Sequence, residues 1–246
     1  MKVRIRLLSF LLYFSIHASP LYASIKIGTE FFFPPFVMSP TNGFDIGLMQ
    51  TLCQRLEENC QFVYMNFHEL FQALDKGQID LAVGGIAITL SRLDKYIFSL
   101  PYKDSQGQFL ILAQSNIKSI ADLNGEKVGV IKEEEEDGGL ARQYLVQNYN
   151  KNFNIIKYNN MEDLIAALSS GDIPAAFLHR STNVYWMQHS ANKFRTLGGK
   201  IVIGEGFGIM ALPKNAALIQ HLNQLIIGME KDNSYLTLYK TYFVNE

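Results

Sequence analysis

The stretch GGIAITLSRLD, which begins at Gly84, contains the residue types that bind a small anion. Gly84 and Gly85 leave backbone N–H groups open to close approach. Thr89 and Ser91 signal the start of a helix. Arg92 follows directly, and its guanidinium can bind both oxygens of a carboxylate. The stretch therefore predicts a carboxylate site, although a Gly-Gly turn before a capped helix is also an ordinary loop.

Few other residues have side chains in patterns suited to metal binding or catalysis. Five consecutive acidic residues occupy positions 133–137, and such a run is typical of a solvated loop. His68, His179, His189 and His221 show no metal-ligand spacing with one another, so we predict no metal site. No G-x-S-x-G motif occurs in the sequence, so the pattern supplies no nucleophile of that type.

The N-terminus has the pattern of a Sec-type signal peptide. Three basic residues precede an apolar run at residues 7–16, and a plausible cleavage site ends at Ala23. The run is short for a membrane span, although an uncleaved N-terminal anchor is the alternative. We therefore predict a signal peptide over residues 1–23 and location in the periplasm.

Export has consequences for charge and for the cysteines. Removing residues 1–23 leaves 19 basic against 23 acidic residues, a formal charge of −4, which argues against a nucleic-acid partner. The destination is oxidising, and the spacing of Cys53 and Cys60 suits a disulfide between a helix end and the next strand. Two free buried thiols are the alternative.

The hydrophobic pattern alternates strands and helices in two halves. The predicted strands are residues 25–29, 61–64, 79–83, 108–113, 127–131, 154–158, 175–178 and 207–212. The predicted helical segments are residues 45–57, 70–74, 119–123, 140–147, 162–169, 182–189, 216–230 and 235–242. Such alternation predicts an α/β protein with mainly parallel sheets. We expect two lobes and a ligand cleft at the carboxyl ends of the strands. The Phe- and Pro-rich loop at residues 31–40 and the Gly84-Gly85 loop both lie at such ends.

Several motifs in order resemble one family, the periplasmic solute-binding proteins for polar amino acids. The motifs are GTEFFFPPF at 28–36, GFDIGL at 43–48, GGIAITLSR at 84–92, DLNGEKVGV at 122–130 and the ending DNSY at 232–235 with LYKTYF at 238–243. The pair of cysteines resembles the branch that binds arginine, histidine, lysine and ornithine. The resemblance implies the type II periplasmic-binding-protein fold. It places lobe 1 at residues 24–106 plus 208–246 and lobe 2 at 107–207.

The resemblance also implies a carboxylate site in lobe 1. In the family an arginine and backbone amides bind the α-carboxylate of the ligand. Arg92, Gly84, Gly85 and the N–H of Ala87 stand in those places. A surface salt bridge is the alternative role of Arg92.

A second part of the site holds the ligand side chain. Phe33 and Phe67 stand where the family has aromatic or apolar walls, and each ring could accept a guanidinium on its face. Plain core packing is their alternative. In the branch for basic amino acids an acid after the first strand binds the distal cation, and Glu30 holds that place.

Lobe 2 departs from the family pattern. The acidic run replaces a small Gly-Ser/Thr loop, and His179 replaces the aspartate that binds the α-ammonium. One hypothesis is that Glu134 or Glu135 enters the cleft as the ammonium partner, where it would raise the pKa of His179. The competing hypothesis is a ligand without an α-ammonium, with His179 on an anionic or neutral group.

The resemblance implies a monomeric binding protein that delivers a basic, arginine-like amino acid to an inner-membrane ABC permease. Its mechanism would be hinge closure over the ligand, with no cofactor and no catalysis. One alternative is an enzyme on the same fold, a cyclohexadienyl/prephenate-type dehydratase with His179 or the acidic run as general acid. Another is a sensor that docks on a receptor.

Overall fold

The computed structural model describes residues 24–133, 139–149 and 152–243. The predicted signal peptide and two predicted site residues, Glu134 and Glu135, lie outside these ranges. The helices are α1 (Phe44–Leu56), α2 (Phe67–Asp75), α3 (Leu90–Leu93), α4 (Gly139–Asn148), α5 (Met161–Ser170), α6 (Arg180–His189), α7 (Ala216–Lys231) and α8 (Ser234–Phe243). The strands are β1 (Ile25–Thr29), β2 (Cys60–Tyr64), β3 (Leu81–Ala82), β4 (Ile97–Phe98), β5 (Gln106–Leu112), β6 (Lys127–Ile131), β7 (Asn154–Tyr158), β8 (Ala175–His179), β9 (Phe194–Val202) and β10 (Met210–Ala211).

The strands form two five-stranded sheets of the same topology. Their orders are β2-β1-β3-β10-β4 and β7-β6-β8-β5-β9. In each sheet the first three strands are parallel and the fourth runs antiparallel to both of its neighbours. These antiparallel fourth strands, β10 and β5, are those that the chain enters directly from the other sheet. The predicted α/β class is confirmed, with mixed sheets where mainly parallel ones were expected.

The chain crosses between the sheets twice, after β4 and after β9. The predicted lobe boundaries lie at or near these crossings and stay a prediction. The C-terminal helix α8 packs against α1 on the first sheet. Its Phe243 and three of its tyrosines surround Phe44, whose ring is completely buried. This aromatic cluster attaches α8 to the first lobe.

Two predicted strands are much shorter than the sequence indicates, and two strands, one short and one of nine residues, were missed. Residues 79–83 and 207–212 contribute only two-residue strands, β3 and β10, and β4 and β9 were not predicted. In β9, Gly198 has φ +73° and lies where the pairing with β5 shifts register. Three residues of β9 stand opposite one residue of β5 there, so the alternation that reveals a strand in the sequence is interrupted.

The predicted disulfide is present. Cys53 in α1 and Cys60 in β2 are bonded, with their Cα atoms 6.1 Å apart. The bond ties the end of the first helix to the strand that follows it. No helix among the described residues has the length and apolar character needed to cross a membrane.

We expect the double variant Cys53→Ala/Cys60→Ala to lose about 2.5 kcal/mol of unfolding free energy, because the bond restricts a short loop in the unfolded chain. Urea denaturation of the oxidised protein and the variant measures the difference. The unmodified protein under reducing conditions is the matched control and should unfold like the variant. Equal urea midpoints for the oxidised protein and the variant would contradict the prediction.

Candidate functional site

The Gly-Gly loop after β3 is held by a buried aspartate. Gly84 has φ +136° and Gly85 φ +63°, a backbone region that favours glycine. The Asp45 Oδ2 accepts hydrogen bonds from the Gly85 N–H at 2.7 Å and from the Tyr102 hydroxyl at 2.9 Å. The Gly85 amide, predicted to bind the ligand, therefore serves the fold instead. Burial raises the pKa of Asp45 to about 7.

Arg92 is buried and forms the centre of the site. Thr89 caps α3 and accepts a hydrogen bond from the Arg92 N–H. The Nη1 atom donates to the carbonyl oxygen of Ala87 at 2.7 Å, and the guanidinium lies 5.1 Å and 5.9 Å from the ring centres of Phe71 and Phe67. With 4% exposure, Arg92 does not form the surface salt bridge that was its alternative role.

A carboxylate from the second lobe binds this guanidinium. Glu133, which follows β6, places its Oε2 at 2.6 Å from the Arg92 Nη2. The same oxygen accepts the backbone N–H of Leu140, in the first turn of α4, at 3.0 Å. A Cβ atom at Gly139 would lie 2.3 Å from the Glu133 side chain, so the glycine makes room for it. Arg92 and the start of α4 together form an anion site, and Glu133 fills it.

A small cavity lies beside this ion pair. Its volume is about 20 Å³, room for roughly one water molecule. The lining residues are Phe33, Phe67, Gly85, Ala87, Arg92, Ile131, Glu133, Ala141, Phe177, Leu178, His179 and Ile203. Six of the predicted ligand-binding residues are thus brought together with Glu133. Gly84 and Glu30 do not line this cavity.

Glu30 is nevertheless a distinctive residue. It directly follows β1 and is 3% exposed. Its Oε1 has no hydrogen-bond partner among the described residues. Burial first, and then the charge of Glu133, raise the pKa of Glu30 well above its usual range. A buried carboxylate without a hydrogen-bond partner is stabilised when a cation binds beside it.

His179 ends β8 and faces the other lobe. Its ring lies edge-on to Phe207 at 4.8 Å and to Phe33 at 6.3 Å. Burial, followed by the positive charge of Arg92, lowers the pKa of His179 to about 3. The predicted opposite effect of Glu134 or Glu135 concerns residues outside the described ranges and stays a prediction. A neutral imidazole gives no support to His179 as a general acid near pH 7.

We expect His179 to make the protein less stable in mild acid. The unfolded chain binds the proton below pH of about 6.5, whereas the folded protein excludes it down to about pH 3. The unfolding free energy is therefore fully retained above pH of about 6.5, and it falls by up to about 1.4 kcal/mol per pH unit below that value. The difference between the urea midpoints at pH 7 and pH 5 should be smaller in His179→Gln than in the unmodified protein. An equal separation would contradict this account.

Sequence reasoning missed Glu133 because, within the acidic run, it assigned the ligand contact to Glu134 or Glu135. The one available signal was its position, since the first acid of the run stands where the family has a loop that contacts the ligand. No group of three or more His, Cys, Asp or Glu side chains suited to a metal ion occurs within the described ranges.

The chain is similar to known proteins over most of its length. The model of the bacterial extracellular solute-binding proteins, family 3, matches residues 25–245. The putative ABC transporter arginine-binding protein 2 of Escherichia coli (strain K12) is 27% identical over 228 residues, or 89% of this chain and 90% of that protein. The match to the family model includes the strands of both sheets.

Two solved structures extend the similarity. An arginine 3rd transport system periplasmic binding protein from Legionella pneumophila has a TM-score of 0.82 at 36% identity, covering 89% of this chain and 99% of that chain. An ancestral arginine-binding protein bound to arginine has a TM-score of 0.79 at 28% identity, covering 89% of this chain and 98% of that chain. Both sheets therefore have counterparts in proteins of this fold.

Proposed function

Because the chain belongs to family 3 of the bacterial extracellular solute-binding proteins, we propose that it binds a basic, arginine-like amino acid in the periplasm. It delivers this ligand to the permease of an ABC transporter. The observation that carries the proposal is the buried Arg92, which already holds a carboxylate, that of Glu133, at 2.6 Å. The α-carboxylate of an amino acid has the same chemistry and can take the same place.

The preference for a basic side chain is supported by Glu30. This buried carboxylate has an oxygen without a hydrogen-bond partner among the described residues, and a guanidinium or ammonium would satisfy it. The aromatic rings of Phe33 and Phe67, both 4% exposed, supply apolar walls and cation–π faces. The similar proteins described above are named for arginine, which is consistent with this ligand class.

The mechanism is closure of two lobes at the chain crossings. A ligand that contacts Arg92 in one lobe and the start of α4 in the other favours the closed form by its differential affinity.

Export by the signal peptide at residues 1–23 places the protein in the periplasm, where it acts as a monomer. The Gly84 loop positions Arg92 and Ala87, while any contact by Glu134 or Glu135 stays a prediction.

The experiment is a thermal-shift and calorimetric screen of the exported protein after ligand removal by unfolding and refolding. The panel contains arginine, lysine, ornithine, histidine, glutamine, glutamate and prephenate. At 100 times its dissociation constant a ligand stabilises the fold by about 2.7 kcal/mol, a shift of a few degrees. Shifts with the basic amino acids are expected. No shift with any of them, or turnover of prephenate, would refute the proposal.

A further inference from the structure

Glu133 is the only carboxylate among the described residues that line the cavity. The cavity's other ionisable side chains are Arg92, which is cationic, and His179, which burial keeps neutral. An amino acid that enters this site brings a positively charged α-ammonium. Within the described part of the chain, Glu133 is the one anion of the lining that could receive it.

We propose that Glu133 has two successive partners: Arg92 in the arrangement seen here, and the α-ammonium of the ligand once the ligand carboxylate has replaced Glu133 on Arg92. The inference rests on the proposed function, since it concerns an amino-acid ligand. It assigns to Glu133 the role that the missing family aspartate would have in lobe 2. Glu134 and Glu135, which lie outside the described residues, are not needed for it.

Because of the geometry of an amino acid, Glu133 has to move only a short distance to change partners. The α-carboxylate and the α-ammonium are attached to the same carbon atom. A carboxylate that takes the place of the Glu133 Oε2 beside the Arg92 Nη2 therefore carries its ammonium to the neighbouring position. Glu133 needs only a local rotation to meet it, because its backbone lies two residues after β6 and keeps the side chain beside the site.

The charge balance of the site agrees with this exchange. The pair of Arg92 and Glu133 is neutral, and Glu30 is a further buried acid. A basic amino acid brings one carboxylate and two cations. Arg92 then pairs with the carboxylate, Glu133 with the α-ammonium and Glu30 with the distal cation, so each charge has an opposite partner. A dipositive ligand without a carboxylate would leave the Arg92–Glu133 pair intact and one of its cations unpaired.

Affinities of two matched ligands test the proposal by calorimetry on the exported protein. One ligand is arginine, and the other is 5-guanidinopentanoate, which lacks only the α-ammonium. In Glu133→Gln, the affinity for arginine should fall roughly tenfold or more because a charged hydrogen bond is lost. The affinity for 5-guanidinopentanoate should rise, because the competing carboxylate on Arg92 is gone and no ammonium contact is lost.

The control variant is Glu126→Gln, an exposed residue of the same lobe, which should leave both affinities unchanged. Glu133→Asp keeps the charge and should recover part of the preference for arginine. Tighter arginine binding in Glu133→Gln would show that Glu133 only competes, and an equal change for both ligands would show a merely structural role; either outcome overturns the proposal. If the unmodified protein binds neither ligand nor any other basic amino acid, the proposed function fails first and the assignment of Glu133 fails with it.

Discussion

Replacing Arg92 by alanine is expected to weaken the binding of amino-acid ligands by roughly 100-fold or more. The guanidinium lies in the anion site between the lobes and is 4% exposed, so water cannot substitute for it there. Calorimetric titration with whichever amino acid the unmodified protein binds most tightly measures the loss. Arg92→Lys should recover only part of the affinity, because an ammonium lacks the planar fork that matches a carboxylate.

The same substitution should destabilise the ligand-free protein by about 3–5 kcal/mol, because it leaves Glu133 as a buried charge without its guanidinium. Adding Glu133→Gln to Arg92→Ala should restore much of this stability and none of the ligand affinity. Arg55→Ala is the control, since Arg55 pairs with the half-exposed Asp232 on the surface, and such pairs contribute little. Full ligand affinity in Arg92→Ala would mean that the ligand does not use this site.

The variant Glu30→Gln is expected to change stability and binding in opposite directions. Burial and Glu133 raise the pKa of Glu30, so the folded protein holds this proton more tightly than the unfolded chain. The unfolding free energy therefore falls as the pH rises above the unfolded pKa of about 4.3. Glutamine removes that loss, so the variant should be more stable than the unmodified protein at pH 7 and no more stable at pH 4.

Ligand binding by Glu30→Gln should become weaker, whereas its stability at pH 7 increases. The affinity for arginine is expected to fall roughly 10- to 100-fold, since a charged hydrogen bond to the guanidinium is lost. Glutamine is the matched ligand, because it has the same α-groups and no distal charge, and its affinity should hardly change. Urea denaturation at the two pH values and titration with both ligands check these results. Equal losses for arginine and glutamine would show that Glu30 does not bind the distal cation.

Much of the fold and part of the site follow from local sequence features. The strands β6 and β7 were predicted with their observed bounds, because β-branched apolar residues lie between clear turn residues. The disulfide followed from export and the spacing of Cys53 and Cys60. Arg92 could be found because Thr89 and the preceding glycines mark the start of a helix after a strand. These features depend on neighbours along the chain, which periodicity and capping chemistry describe well.

Other features arise only from contacts between distant segments. Glu133 pairs with Arg92, which is 41 residues away in the sequence. Asp45 accepts a hydrogen bond from the Gly85 N–H, which is 40 residues away. Neither pairing leaves a mark in local hydrophobic pattern. The pKa of His179 likewise depends on how many atoms exclude water from its ring and on the position of Arg92. Burial and Coulomb interactions are set by three-dimensional distance, so residue types indicated an anion site here, while the packing of the two lobes decided which carboxylate fills it.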